Sequence, residues 1–141
     1  MKKLSIVILN WNGEGFLKKF LPTLVQCTPA ETGAIIVADN GSTDGSVKLL
    51  AEQYPSVKTI LFDKNYGFTG GYNKAFSQID SDYFVLINSD IEVTDGWLKP
   101  LVDWMDSHPE CGACAPKLHS WQQKDKFEYA GAAGGYIDRY G

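Results

Sequence analysis

The chain has 141 residues, 44% hydrophobic and 21% charged, enough apolar side chains for one globular domain with a real core and too many for a disordered chain. Its formal net charge of −4 gives no electrostatic ground for nucleic acid or an anionic membrane as the main partner. No apolar run approaches the roughly 20 residues of a membrane span, and three cysteines, Cys27, Cys111 and Cys114, are too few for a disulfide framework, so the expected setting is the cytoplasm.

Met1-Lys2-Lys3 followed by Leu4 to Leu9 imitates the start of a signal peptide, but the apolar run is short and ends in Asn10-Trp11-Asn12-Gly13 without a cleavage site; it reads as a first strand. Leu17, Phe20, Leu21 and Leu24 fall at helical spacing, with Pro22 expected to kink that helix or delay its start. Ala34 to Ala38 is a second buried strand, ending in the turn and N-cap cluster Asp39 to Ser46. Val47, Leu50, Ala51 and Tyr54 then keep helical spacing until Pro55, and Val57 to Phe62 is a third strand.

After the loop Asp63 to Gly67, Phe68-Thr69-Gly70-Gly71 leads into a helix whose inner stripe is Tyr72, Ala75, Phe76 and Ile79. Tyr83 to Ile87 is an apolar, β-rich run of the kind buried on both faces of a covered parallel sheet, and it breaks abruptly into Asn88-Ser89-Asp90. Leu98, Leu101, Val102 and Met105 mark another helix, stopped by His108-Pro109. Cys111 to Leu118 reads as a fifth strand, at an edge or bulge because of Pro116, with its cysteines as small buried thiols. Beyond His119 come a polar loop and the Gly- and Ala-rich stretch Gly131 to Gly135, and the pattern stops without a closing helix. Strands alternating with helices argue an α/β fold, a mostly parallel sheet flanked by helices. The expected organisation is one domain over 1–141, incomplete at its C-terminus.

Strands one, two and four end in Asn10-Trp11-Asn12, Asp39 and Asp90, polar residues that a purely structural strand does not need. In open α/β sheets ligands bind at the carboxyl edge, so three such ends point to one site. Asp39 can accept the imide N–H of uracil or thymine, or a guanine edge, and Trp11 offers a flat face to a base or ribose. The structural alternative for Asp39 is an Asx-turn holding Asn40 to Ser42, and for Asp90 a turn cap. Gly67, Gly70 and Gly71 let backbone pass close to a ligand before the helix that follows, whose N-terminal amides favour an anion, but their spacing is neither a P-loop nor a dinucleotide fingerprint. Asn73 either braces that loop or reaches a phosphate or sugar hydroxyl. With no basic cluster in these turns, a diphosphate calls for Mg²⁺ or Mn²⁺ on oxygen ligands. Asp90 is the leading metal ligand, Asn88 and Ser89 offer neutral oxygens, and Glu92 either points to the same side or faces solvent. His108 and His119 lack partners at ligand spacing and read as surface residues.

Four ordered segments, Ser5 to Asn12, Val37 to Ser46, Asn65 to Asn73 and Leu86 to Asp90, resemble the inverting family 2 glycosyltransferases of GT-A fold, especially their rhamnosyltransferase-like branch. The resemblance implies a Rossmann-like nucleotide-binding fold with a nucleotide-activated sugar over the carboxyl ends of the strands. It puts Asp39 on the base and Asp90 as the last acid of the family's Asp-x-Asp metal motif, the first acid being replaced by Asn88. It implies direct displacement at the anomeric carbon with inversion, and a saccharide or lipid-linked saccharide acceptor. The parent chain would then work in the cytoplasm, with the inner membrane face as a place of peripheral association. The family's general base lies well downstream of the metal motif, so it is expected beyond Gly141. Two other classes compete: a nucleotide-binding domain without catalysis, and a phosphoacceptor receiver domain. The receiver would want an acidic pair after strand one and a late Lys, and the sequence has neither.

Overall fold

The structure, a computed structural model, describes residues 3–128. They fall into two compact units, divided between Asp95 and Gly96. In the first, β1 (Leu4–Asn10), β2 (Ala34–Asp39), β3 (Lys58–Leu61) and β4 (Tyr83–Ile87) alternate with α1 (Glu14–Gln26), α2 (Ser46–Gln53) and α3 (Gly67–Phe76). The four strands form one sheet in the order β3-β2-β1-β4, every pair parallel. The chain therefore winds outward from β1 through β2 to β3 and then crosses to the other side of β1. The reversal opens a crevice beside the carboxyl end of β1, where ligands of such sheets bind.

Period-two alternation divides the core between the two faces. Val7, Ile36, Ala38 and Ile60 turn to one face and pack with Tyr72, Ala75 and Ile79. Ile8 turns to the other, where it lines a cleft with Leu17, Leu21 and Leu24 of α1. The predicted α1 stripe is the buried one, and Pro22 neither delays nor ends the helix. Full burial of each large apolar side chain is worth about 1.5–3 kcal/mol, so the four on this stripe outweigh the roughly 3 kcal/mol of an internal proline.

Two expectations are corrected in this unit. Helix α2 buries Ser46, Leu49 and Leu50 and leaves Ala51 exposed, so its inner face is turned from the one its apolar spacing suggests. Strand β4 is not buried on both faces: among the described residues it is the sheet's edge, paired with β1 alone, and α3 lies over β1 and β2, leaving Leu86 53% exposed. Cys27 is a half-buried free thiol, which donates a hydrogen bond to Asp95 Oδ1 at 3.2 Å.

In the second unit α4 (Lys99–Ser107) carries Leu101, Val102 and Met105 half-buried and ends at His108 as its sequence predicts. The expected fifth strand is absent: Cys111 to Leu118 pairs with no strand among the described residues, and Cys114 is exposed where a buried thiol was expected. The pairing instead comes just afterwards, as an isolated antiparallel bridge between His119 and Phe127. The stretch Gly131 to Gly135 lies outside the described residues. No helix among those described is long and apolar enough to cross a membrane.

Candidate functional site

The register of the sheet assembles the site. Asn10 pairs with Asp39 across β1 and β2, both at the carboxyl end, and the pairing of Ile8 with Ile87 sends Asn88 to Asp90 past the same edge on the other side. The crevice at the strand reversal is thus flanked by Asn10 on one side and by Asn88 to Asp90 on the other.

Asn10 and Asp39 point to the α1 and α2 face and are nearly sealed from solvent, 1% and 2% exposed. Asn10 Nδ2 donates to Asp39 Oδ2 at 2.9 Å and to Ser42 Oγ at 3.2 Å, and the Ser42 amide donates to Asp39 Oδ1 at 2.8 Å. The last bond is the Asx-turn that competed with a binding role for Asp39, so the turn is real. Each carboxylate oxygen still has lone-pair capacity beyond the one bond it accepts here. The Asn12 amide also donates to Ser42 Oγ, at 2.9 Å, and Asn12 Oδ1 accepts the Thr43 amide at 2.8 Å. Asn12 adopts φ 50°, a left-handed conformation that Asn tolerates better than most residues, and between the two asparagines Trp11 stands 58% exposed. A large ring held out beside a buried polar node is a stacking surface for a planar ligand.

The opposite face is organised by Asn40, because successive strand residues alternate in direction. Its Nδ2 donates to Asn65 Oδ1 at 2.9 Å and to the Gly67 carbonyl at 3.1 Å, and its Oδ1 accepts the Tyr66 amide at 2.9 Å. The glycines do not form a loop before α3, as expected, but its first turns. Gly67 sits at φ 71°, Gly70 is exposed, and Gly71 packs against Leu9 and Asn40, leaving no room for a side chain. Asn73 is exposed nearly two turns into this helix and does not brace the turn.

The turn also carries more positive charge than its sequence suggests. Lys74, from α3, places Nζ 4.6 Å from the centre of the Tyr66 ring and Lys64 places its own at 5.3 Å, a clustering that no local run of basic residues announces. The Tyr66 hydroxyl donates to Asp63 at 2.7 Å, and that bond holds the Asp63 carboxyl below its ordinary value and raises the Tyr66 phenol.

Past β4, Asn88 and Asp90 are exposed, Ser89 is half-buried beside Gly13, and Glu92 is exposed. No three His, Cys, Asp or Glu side chains among the described residues gather into a metal-holding group. His108 is stacked on Trp104 with its Nδ1 at 2.9 Å from the Trp104 carbonyl, and His119 Nδ1 lies 2.8 Å from the Lys124 carbonyl, so both imidazoles have structural partners. Beyond the expected site residues the structure adds Asn40 and Ser42, which the sequence places only in the turn of Asp39, and Tyr66 and Lys74. The signal for Asn40 was available: two Asx residues in succession at a strand end, one for each face.

Residues 5–130 match Glycosyl transferase family 2. The chain belongs to that family. Among its family 2 relatives, N-acetylglucosaminyl-diphospho-decaprenol L-rhamnosyltransferase of Mycobacterium tuberculosis (strain ATCC 25618 / H37Rv) is 26% identical over 126 residues, covering 82% of this chain and 41% of the relative. Among solved structures, Staphylococcus aureus TarS 1-349 in complex with UDP-GlcNAc superposes with a TM-score of 0.67 at 22% identity, covering 76% of this chain and 32% of that one. Mannosyltransferase PcManGT from Pyrobaculum calidifontis, in complex with GDP-Man and Mn²⁺, gives 0.64 at 18% identity, covering 84% and 34%. These two likenesses show the fold: the parallel sheet with its flanking helices is the GT-A arrangement of family 2. The chain spans less than half the length of each of the three proteins.

Proposed function

We propose that this family 2 chain is the donor-binding part of a glycosyltransferase. The parent protein would move a sugar from a nucleoside diphosphate to the hydroxyl of a saccharide or lipid-linked saccharide, with inversion at the anomeric carbon. The observation that carries the reading is the pairing of a buried, twice hydrogen-bonded Asp39 with exposed Asn88 and Asp90 on one sheet edge. Asp39 accepts the ring N–H of the base, Trp11 stacks on base or ribose, and Asn10 and Asn12 hold this pocket's frame. Gly67, Gly70 and Gly71 bring the backbone of α3 close to the donor, with Asn73 as a more distant polar contact. Asn88 and Ser89 offer neutral oxygens towards the phosphates. The relatives support this direction by their names: a rhamnosyltransferase of a diphospho-decaprenol-linked sugar, and structures holding UDP-GlcNAc or GDP-Man with Mn²⁺. Polysaccharide biosynthesis in the cytoplasm, at the inner face of the membrane, is the setting that fits such acceptors.

A divalent cation fits the donor set. Asp90 supplies one exposed hard oxygen ligand, and Mg²⁺ or Mn²⁺ is commonly held by one or two carboxylates together with substrate phosphates. When bound, the ion would offset the charge of the departing nucleoside diphosphate. We assign the general base, which takes the acceptor proton, to the part of the parent beyond Gly141. General-base assistance is typically worth about 10²–10⁴-fold in rate, so residues 1–141 should bind donor without transferring it efficiently.

Calorimetry with UDP, dTDP and GDP, each with Mn²⁺, with Mg²⁺ and with excess chelator, tests the reading. Metal should tighten binding of the preferred nucleotide, Asp90→Ala should remove only that gain, and Asp39→Ala should weaken binding with and without metal. Equal binding in chelator would strip Asp90 of its role. The anomeric configuration of the product made by the parent protein decides inversion.

A further inference from the structure

We propose that Asn10 is a positioning residue: its carboxamide, wedged between Gly13 and Asp39, fixes the Asp39 carboxylate in the orientation that selects bases by their ring N–H. The inference rests on the reading of Asp39 as the base acceptor.

Three observations carry it. Both hydrogens of Asn10 Nδ2 are committed, one to Asp39 Oδ2 and one to Ser42 Oγ, while the Ser42 amide holds the other carboxylate oxygen. These are donors that cannot accept in return, so Asp39 can present only lone pairs to whatever approaches it. The second observation is the position of Asn10 Oδ1, which is buried and has no hydrogen-bond partner among the described residues. Turning the amide over would face that oxygen to the carboxylate, so Asp39 itself dictates the arrangement. A buried acceptor left unpaired is a destabilising feature that an apolar side chain would avoid, and here it accompanies a pair of donors aimed at one carboxylate. Third, Asn10 cannot retreat from Asp39. A Cβ on Gly13 would lie 2.3 Å from Asn10 Oδ1, so the close approach of the Gly13 backbone is what seats the carboxamide. Gly13 has φ −104°, a conformation open to any residue, so its lack of a side chain answers to this contact and not to backbone strain.

The consequence is selectivity. A carboxylate held on both oxygens meets uracil, thymine or guanine at a ring N–H, whereas cytosine offers a ring acceptor at the same edge and is repelled. Freed from Asn10, the carboxylate can rotate and reach the exocyclic amine of cytosine instead.

The test is calorimetry of the 141-residue chain with UDP, dTDP, GDP and CDP in wild type, Asn10→Ala, Gly13→Ala and Asp39→Asn, with thermal unfolding of each. The readout is the preference of the tightest of the first three nucleotides over CDP. Wild type should show about tenfold or more, as one charge-assisted hydrogen bond provides. Asn10→Ala, Gly13→Ala and Asp39→Asn should each bring it below about threefold, with the metal-dependent gain in affinity retained. Gly13→Ala removes no polar group, displaces the Asn10 carboxamide by its Cβ, and carries the test if Asn10→Ala fails to fold. Preference lost in Asp39→Asn but kept in Asn10→Ala or Gly13→Ala would overturn the positioning role and leave the reading of Asp39 standing. No preference in wild type, or its survival in Asp39→Asn, would overturn both.

Discussion

A methyl group added at Gly71 would lie 2.7 Å from Leu9 Cδ1 and 3.1 Å from Asn40 Nδ2, both on the inner side of α3. One residue earlier, and so about 100° round the same helix, Gly70 meets only Tyr66 Cβ, at 3.5 Å. The two neighbouring glycines therefore answer the same substitution with opposite signs. Gly71→Ala overpacks a core contact and pushes on the side chain that ties β2 to the turn before α3; a loss of about 1–3 kcal/mol in urea unfolding is expected. Gly70→Ala, exposed within the helix, should be neutral or stabilise by up to about 1 kcal/mol through helix propensity alone. Equal losses at both positions would show that the turn, and not the packing against Leu9 and Asn40, sets the need for glycine.

Helices α1 and α2 are tied at their starts by two crossed acids. Asp44 Oδ2 accepts the Glu14 amide at 3.0 Å while its Oδ1 accepts the Ser46 amide at 3.0 Å, and Glu14 Oε2 accepts the Gly45 amide at 3.2 Å. Each acid thus satisfies amides at the start of the other's helix, which binds the exits of β1 and β2 together beneath the site. Asp44→Ala should cost about 1 kcal/mol, as loss of a capping acid does. The Lys18 ammonium, through its hydrogen bond and its charge, holds the Glu14 carboxyl below its ordinary 4.5. Burial would raise Asp44, but the nearby Ser46 hydroxyl and the amides of Glu14 and Ser46 together hold it below 3.8. Folded values below the unfolded ones mean that this contribution is fully present above about pH 4.5 and is lost as the pH falls through the folded values. The urea midpoint should therefore drop on acidification below that point, and drop less in Glu14→Gln/Asp44→Asn. Parallel curves for wild type and variant would remove the two acids from the acid response.

Across the whole chain, stability should be graded by position in the sheet. Strand β1 is paired on both sides and its Ile6 and Val7 are fully buried, whereas among the described residues β4 has a partner on one side only and Cys111 to Leu118 has no ladder. Amides that exchange only when the sheet opens should be those of β1 and β2, with β4 faster and residues 111–118 fastest. Hydrogen exchange read by mass spectrometry checks the order. Protection of residues 111–118 equal to that of β1 would show pairing of that segment that the structure does not contain.

The alternation of strands and helices, the α1 stripe and the limits of β4 were all legible in the sequence, because period-two and helical spacing are local properties of the chain. So were the polar residues at Asn10, Asp39 and, just past β4, Asn88 to Asp90, since an apolar run that stops in an acid or amide stands out in the sequence. What only the tertiary structure decided is where those ends point and whom they meet. Asn10 and Asp39 are 29 residues apart and join through strand register; Lys74 of α3 reaches back to the ring of Tyr66, the residue that caps the same helix. The apolar run of β4 reads as buried on both faces, yet Leu86 stands exposed, because burial belongs to the neighbours a strand acquires and not to its composition. The same reason undid the strand expected at Cys111 to Leu118. Extended backbone becomes a strand only when another strand takes its hydrogen bonds, and no residue pattern within the segment supplies that partner.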